Sequence, residues 1–413
     1  MRIDVRVRLA VMMALLYAVQ GAWWPVLTVH LRDLGIGDRA RGWIFATMAI
    51  AALASPLVAG HIADRQMAMQ KMLALIYAVG TGLLLVPALG LTGRAGPLFG
   101  LFLAYWLLVV PGLALSSALA LRNLERPGEQ FGGVRLWGTV GWMAVGWVVS
   151  LAMAATGGAR GASAAFGVAA VLSGCFSLYC LTLPHTPPLA RSDVRRPPGL
   201  GESLELVRRR GVGPYLASAF GVSVSTAFIY QVMPGYFKDV GVPRPWIATA
   251  MTLGQVLEVV GLVVLPRLLR RLGFRRTLAL GVLAYVVRFA TLAAGPPAWL
   301  AVGGGLLQGL GYACFSVGGQ VFLDREAPVD RRAGAQALNV VATTGLGNLL
   351  GNLLAGEVAA HSGGDYRLIF LAPAVIDVAV LGLVLVGLPG ERARRAGPAR
   401  RPAREAGAAV RTS

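Results

Sequence analysis

Gln255 and Glu258 stand three residues apart inside a long apolar stretch, LGQVLEVVG (253–261). Positions i and i+3 share a helix face, so an amide and a carboxyl project side by side from otherwise apolar surroundings. A lipid-facing position tolerates neither. Low dielectric disfavours the ionised carboxyl, which suits a group that loads and releases a proton as its environment alternates. A structural interhelical hydrogen bond is the plainer alternative. Arg135, Thr139 and Trp142 form a second constellation, at i, i+4 and i+7 on one helix face. An arginine within a span costs about 2.5–3.5 kcal/mol at mid-depth and less near the edge. Arg135 is therefore expected to face a polar cavity, with snorkelling to headgroups as the alternative. Trp142 offers a flat apolar surface, while Arg135 and Thr139 can donate to hydroxyls or carbonyls. Arg288 reads as a structural cation paired with a neighbouring helix. Asp377 is a further intramembrane acid, a functional candidate by default, with a local hydrogen bond equally open.

The elements that must position these groups are membrane helices. Twelve long apolar stretches fill the 413-residue chain, at 9–30, 42–63, 71–92, 97–121, 134–156, 164–184, 213–237, 245–268, 276–294, 298–323, 335–358 and 367–389. A bilayer core about 30 Å thick needs about 20 apolar residues per helix, and without water each stretch must satisfy its own backbone by coiling. The chain is 56% hydrophobic and 14% charged, with a mean hydropathy of +0.65, well below the ~25% charge of soluble domains. The expected class is an all-α membrane protein of twelve transmembrane helices. The apolar run after Met1–Arg8 extends to about His30 through Trp23, Trp24 and Pro25; it reads as a retained first helix, not a cleaved signal.

The net charge is +19. About 28 of the 38 Lys and Arg fall on the side that holds both ends of the chain if the amino terminus is cytoplasmic, and about 8 on the other. That asymmetry places both termini in the cytoplasm and assigns the basic charge to headgroups instead of nucleic acid. The expected organisation is a bundle at 1–184, a cytoplasmic linker at 185–212 rich in proline and arginine, a second bundle at 213–389 and a basic, disordered tail at 390–413. Cys175, Cys180 and Cys314 lie in apolar stretches and read as buried thiols. His30, His61, His185 and His361 sit at span ends or in loops, without metal or triad spacing. No phosphate-cradling Gly-Lys-Ser/Thr loop is present. No cofactor, metal or enzymatic activity is expected.

Two sets of six helices with the amino terminus inside resemble the major facilitator superfamily, whose halves are related by an axis along the membrane normal and bind substrate near midplane. Gly60, Ala63, Asp64, Arg65 and Lys71 are similar to its signature loop between the second and third helices; the corresponding segment after span eight, 265–276, lacks the acid. In that family the loop latches the cytoplasmic side when the carrier opens outward. A closer resemblance is to the nucleoside:proton symporter family. It is carried by RLWGTVGW (135–142), GAW (21–23), SPLVAGHIADR (55–65), LTLPHTP (181–187), QVLE (255–258), VVRF (286–289) and GQVFLDRE (319–326).

The resemblance implies a nucleoside cavity lined by Arg135, Thr139 and Trp142. It also implies that Gln255 and Glu258 bind ribose, that Glu258 takes part in proton coupling, and that Tyr230 or Gln231 supply polar groups from span seven. Tyr312 matches an aromatic position of the family, where it can stack on a base. The acid that should follow it is replaced by Ala313, with Gln308 one turn earlier, which leaves the proton stoichiometry open. Asn348 and Asn352, with Gly345, Gly347 and Gly351, read as close helix packing. The expected function is proton-coupled nucleoside import across a bacterial inner membrane by alternating access. The chain is expected to act as a monomer in lipid, with nucleoside and protons as its only other partners. A proton-coupled exporter on the same fold, or a non-transporting receptor, is the alternative.

Overall fold

The computed structural model describes residues 3–63, 67–157, 161–187, 205–209, 211–328 and 331–390; for 3, 4 and 56–63 it describes the backbone alone. The described residues are almost entirely helical, and ten helices among them are long and apolar enough to cross a membrane. The helical rods fall on the expected stretches. They are α1 (Ile3–Trp23, running through a 3-10 turn at Trp24–Val26 into Leu27–Asp33), α2 (Asp38–Ala63), α3 (Met69–Ala88), α4 (Ala95–Asn123), α5 (Pro127–Thr156) and α6 (Gly161–Cys180). After residue 211 come α7 (Val212–Asp239) and a 47-residue rod, Ile247–Ala293, bent into two arms, α8 (247–272) and α9 (274–293). Next is α10 (Ala298–Gly303 and Gly305–Gly311, a π segment Tyr312–Val317, then Gly318–Glu326). Then follow α11 (Arg332–Val340, a π segment Val341–Gly347, then Asn348–His361) and α12 (Tyr366–Gly387). The ten spanning helices count α8 and α9 as one and do not include α2.

Local sequence explains the breaks. Pro25 has no backbone N–H to continue the ladder, and α1 tightens there into its 3-10 turn. Gly273 takes φ 74°, ψ 172° at the bend between α8 and α9, a conformation that a side chain would resist. Pro127 starts α5 at its first turn, where a missing N–H costs nothing; this helix therefore begins seven residues before the expected 134.

Packing depends on glycine contacts, because lipid supplies no hydrophobic drive between helices. A Cβ on Gly141 of α5 would fall 2.1 Å from the Ala14 carbonyl oxygen of α1. One on Gly309 of α10 would fall 2.0 Å from the Gly254 carbonyl oxygen of α8, and one on Gly351 of α11 would fall 2.6 Å from the Val224 carbonyl oxygen of α7. α1 runs along α5 and α6, α3 along α6, and α2 along α4; α7 runs along α11 and α12, and the α8–α9 rod along α10 and α12. Among the described residues the most extensive contacts between the two sets are α2 with α11, α5 with α8, and the end of α1 with α7.

Several expectations are corrected or fall outside the description. Cys180 and Cys314 are buried, but Cys175 is exposed on the outer face of α6, where an apolar stretch meets lipid with one side. The tail and most of the linker lie outside the described residues, apart from a short turn at Glu205–Arg208 that buries Leu206. Of the signature loop, Asp64 and Arg65 lie outside them, Gly60 has only its backbone described, and Lys71 is an exposed residue in the first turn of α3.

The glycine contacts give a direct test. Gly141→Val should lower the thermal midpoint in detergent by the equivalent of ~1–3 kcal/mol or more, as overpacking does. Gly174→Ala, whose Cβ would meet Thr81 at an ordinary 3.8 Å, should leave the midpoint unchanged or slightly raised.

Candidate functional site

A cavity of about 440 Å³ lies between the two sets of helices, within the size range of small-ligand sites. α5 presents Arg135, Thr139 and Trp142 to it, so the i, i+4, i+7 face is the lining face. The Arg135 guanidinium lies 4.0 Å above the Tyr17 ring of α1, a cation–π contact that holds the cation over the cavity wall. Gly138 makes this possible: a Cβ there would sit 2.6 Å from the Tyr17 ring and 2.9 Å from Arg135 Nη1. Tyr230 of α7 stands between two indoles, its ring 6.5 Å from Trp142 and 6.3 Å from Trp24. These aromatic faces form an apolar wall suited to a planar ring.

Another part of the lining is polar. Gln255 and Glu258 of α8 both belong to it, beside Gln308 and Tyr312 of α10. The Gly254–Gly309 contact draws α10 against α8 and so sets these four side chains together. Gln255 Oε1 is buried with no hydrogen-bond partner, an arrangement that costs about 1–3 kcal/mol and that a ligand donor would relieve. Arg288 of α9 is buried behind this polar lining and donates to Gln308 Oε1, so it holds a lining amide in place, as expected of a structural cation.

Three site assignments come out differently. Gln231 is buried but is not a lining residue; its amide is wedged between α11 and α2, its oxygen 3.0 Å from the Gly356 N–H and its nitrogen 3.0 Å from the Asn352 carbonyl. Adjacent residues project about 100° apart on a helix, so Tyr230 takes the cavity and Gln231 the helix contact. Ala313 is fully buried against Gly261 of α8 and faces away from the cavity. The π segment adds a residue to its turn, and it is Tyr312, Phe315 and Ser316 that reach the lining. Asn348 and Asn352 do line the cavity, together with Thr343 and Thr344 of the α11 π segment. The neighbouring glycines pack as expected, Gly345 on Leu53 and Gly347 on Ser223. Sequence reading also passed over Tyr17, Ser223 and Thr226, which line the cavity; single hydroxyls and aromatics in apolar runs carry no distinguishing pattern.

One end of the cavity is latched. At the face opposite Ile3 and Gly387, Arg32 of α1 donates to Asp239 of α7 at 3.0 Å and to the Tyr366 hydroxyl at 3.1 Å, and that hydroxyl donates to Asp239 at 2.5 Å. Asp33 meets Arg244 and Lys238. Arg39 of α2 reaches Glu357 of α11 at 3.0 Å. Thr28 donates to the Gln231 carbonyl at 2.7 Å, and Ser150 and Thr249 join α5 to α8 at 2.8 Å. Toward the other face the lining continues through Tyr215, Gln320 and Asn339.

A helical bundle around a central polar cavity, closed at one face by bonds between its two sets of helices, is the arrangement of the major facilitator fold. The chain belongs to the nucleoside H+ symporter family, whose profile matches residues 3–389. It is 32% identical to YegT of Escherichia coli (strain K12), over 84% of this chain and 83% of that protein. It is 24% identical to the nucleoside permease NupG of the same organism, over 86% and 88%. The crystal structure of the nucleoside transporter NupG superposes with a TM-score of 0.81 at 22% identity, covering 93% of this chain and 98% of that one. A D-xylose–proton symporter shares the fold, with a TM-score of 0.71 at 16% identity over 93% and 98%. The family is one of transporters, and the chain is a multi-pass membrane protein of that kind.

The latch predicts a measurable shift. Asp239→Asn removes the negative charge that Arg32 and Tyr366 share, and a partly exposed ion pair of this kind is worth about 1 kcal/mol at most. A cysteine placed at Thr226 in a cysteine-free background should then react several-fold faster with an impermeant thiol reagent applied from the latched face. An unchanged rate would show that these bonds do not hold that face shut.

Proposed function

We propose that the chain imports nucleosides together with protons across the inner membrane of a bacterium by alternating access. In this reading the helices of 1–184 and of 213–389 are the two rocking units and 185–212 is the tether between them. Both termini lie in the cytoplasm, in keeping with the charge asymmetry of the loops. The latched face is then the outer one, and the arrangement described above is open toward the cytoplasm. The chain works as a monomer in the bilayer.

The observation that carries the proposal is the placement of Glu258, a carboxyl on the wall of the cavity between the two units. The apolar rings of Trp142, Tyr230 and Trp24 take the base. Gln255, with its open acceptor, and the donors Arg135, Thr139 and Tyr312 take hydroxyls and base edges. Arg135, on α5, lies within electrostatic reach of Glu258 on α8, so the charge of Glu258 is felt by both units. A ligand that bound both orientations equally would shift nothing; coupling follows because protonation of Glu258 changes which orientation is preferred. Asp64, Arg65 and Lys71, with Gly60, complete the proposal as the loop that closes the cytoplasmic side in the opposite orientation.

Uptake into proteoliposomes, with and without an imposed pH gradient, across a panel of nucleosides, sugars and lipophilic cations, tests this directly. Nucleosides should accumulate only with the gradient, and lipophilic cations should not compete. Glu258→Gln should abolish gradient-driven accumulation while leaving nucleoside exchange measurable. Uphill uptake retained in that variant would remove Glu258 from the coupling step.

A further inference from the structure

Asp377 is the one intramembrane carboxyl among the described residues that the proposed cycle leaves unused. It lies near the middle of α12, the most apolar spanning helix among the described residues, and is fully buried. Among the described residues it forms no ion pair. Its Oδ1 lies 2.7 Å from Ser225 Oγ on α7, and its Oδ2 has no hydrogen-bond partner. Ser225 Oγ also lies 2.9 Å from the Val222 carbonyl oxygen. A hydroxyl carries a single proton. With an ionised Asp377, that proton would be claimed by two acceptors, and a dry carboxylate oxygen would be left bare, at a cost far above that of a neutral group. A carboxylic acid satisfies both contacts: Asp377 donates its O–H to Ser225, and Ser225 donates to Val222.

Access separates this acid from Glu258. Ser225 and Asp377 lie behind α7, whose cavity face carries Val222, Ser223, Thr226 and Ala227. α7 and α12 belong to the same set of helices, so rocking of the two sets leaves their contact in place and brings Asp377 to neither aqueous side. Of the other titratable groups, Tyr285 on α9 is within electrostatic reach of Asp377 and of Glu258, whereas Arg288 is engaged with Gln308. Facing Glu258 are Arg135, Tyr230, Tyr285 and Tyr312. Among the described residues no second Asp or Glu lines the cavity.

We propose that Asp377 keeps its proton throughout the cycle as a neutral clasp between α12 and α7, and that Glu258 alone exchanges a proton, so that each solute is carried with one proton. The proton passes from outer water to the Glu258 carboxylate and from there to inner water, and a neutral solute therefore moves with one positive charge. This inference rests on the symport reading above but can fail separately from it.

Proteoliposomes with the membrane potential clamped at zero provide the test. One proton per solute gives about tenfold accumulation for each unit of imposed pH gradient, and two give about a hundredfold. The tenfold slope is expected for the natural chain, for Asp377→Asn, which keeps a neutral partner for Ser225, and for Ser225→Ala. A hundredfold slope in the natural chain, or a slope that falls in Asp377→Asn, would overturn the proposal. Should both variants fail to fold, the natural chain's slope decides. The infrared spectrum of the natural chain at neutral pH should also contain a protonated-carboxyl band that Asp377→Asn lacks, and loss of a carboxylate band instead would count against it. If sugars accumulate and nucleosides do not, the nucleoside reading fails, and the slope is then read on the sugar.

Discussion

A polar group carried into a hydrocarbon layer must find water or a partner, and the structure follows from how each such group meets that demand. Arg135 finds the cavity and the face of Tyr17. Arg288 finds Gln308, and Asp377 finds Ser225. Glu258 finds the cavity alone. Arg288 and Asp377 are thereby fixed on protein partners, while Arg135 and Glu258 face the cavity, where a solute and a proton can compete for the carboxyl.

Close helix contact makes the cavity possible. Glycines at 138, 141, 254 and 309 let backbones and rings approach where any side chain would collide. The lining combines two chemistries: aromatic rings from α1, α5 and α7, and amides and a carboxyl from α8 and α10. The two π segments open both α10 and α11 toward this space, in line with the frequent placement of π turns at functional sites. The ionic latch and the cavity belong to one design, since α1, α2 and α7 contribute to both.

Much of this was legible in the chain. The apolar stretches named the helices, because a spanning helix is defined by length and hydropathy alone. The Arg135, Thr139, Trp142 face and the Gln255, Glu258 pair were legible because helical periodicity fixes which residues share a face. Register was the limit elsewhere. Tyr230 and Gln231 are neighbours, and nothing local says which one turns inward. Ala313 was placed only by its match to the family's motif, and that match does not say that this position packs on Gly261 within a π segment. Asn348 and Asn352 stand among glycines that do pack, so their own cavity-facing side was hidden by their neighbours.

The sequence by itself determined the solvent, the helical class and the groups able to carry a proton, since each depends on sums over adjacent residues. The tertiary structure alone decided which of those groups share a cavity and which are sealed away. Thr28 meets the backbone of Gln231 across 203 positions, and Ser225 meets Asp377 across 152. Such meetings are set by how whole helices cross, and crossing depends on clearances of a few tenths of an ångström that no local pattern in the chain encodes.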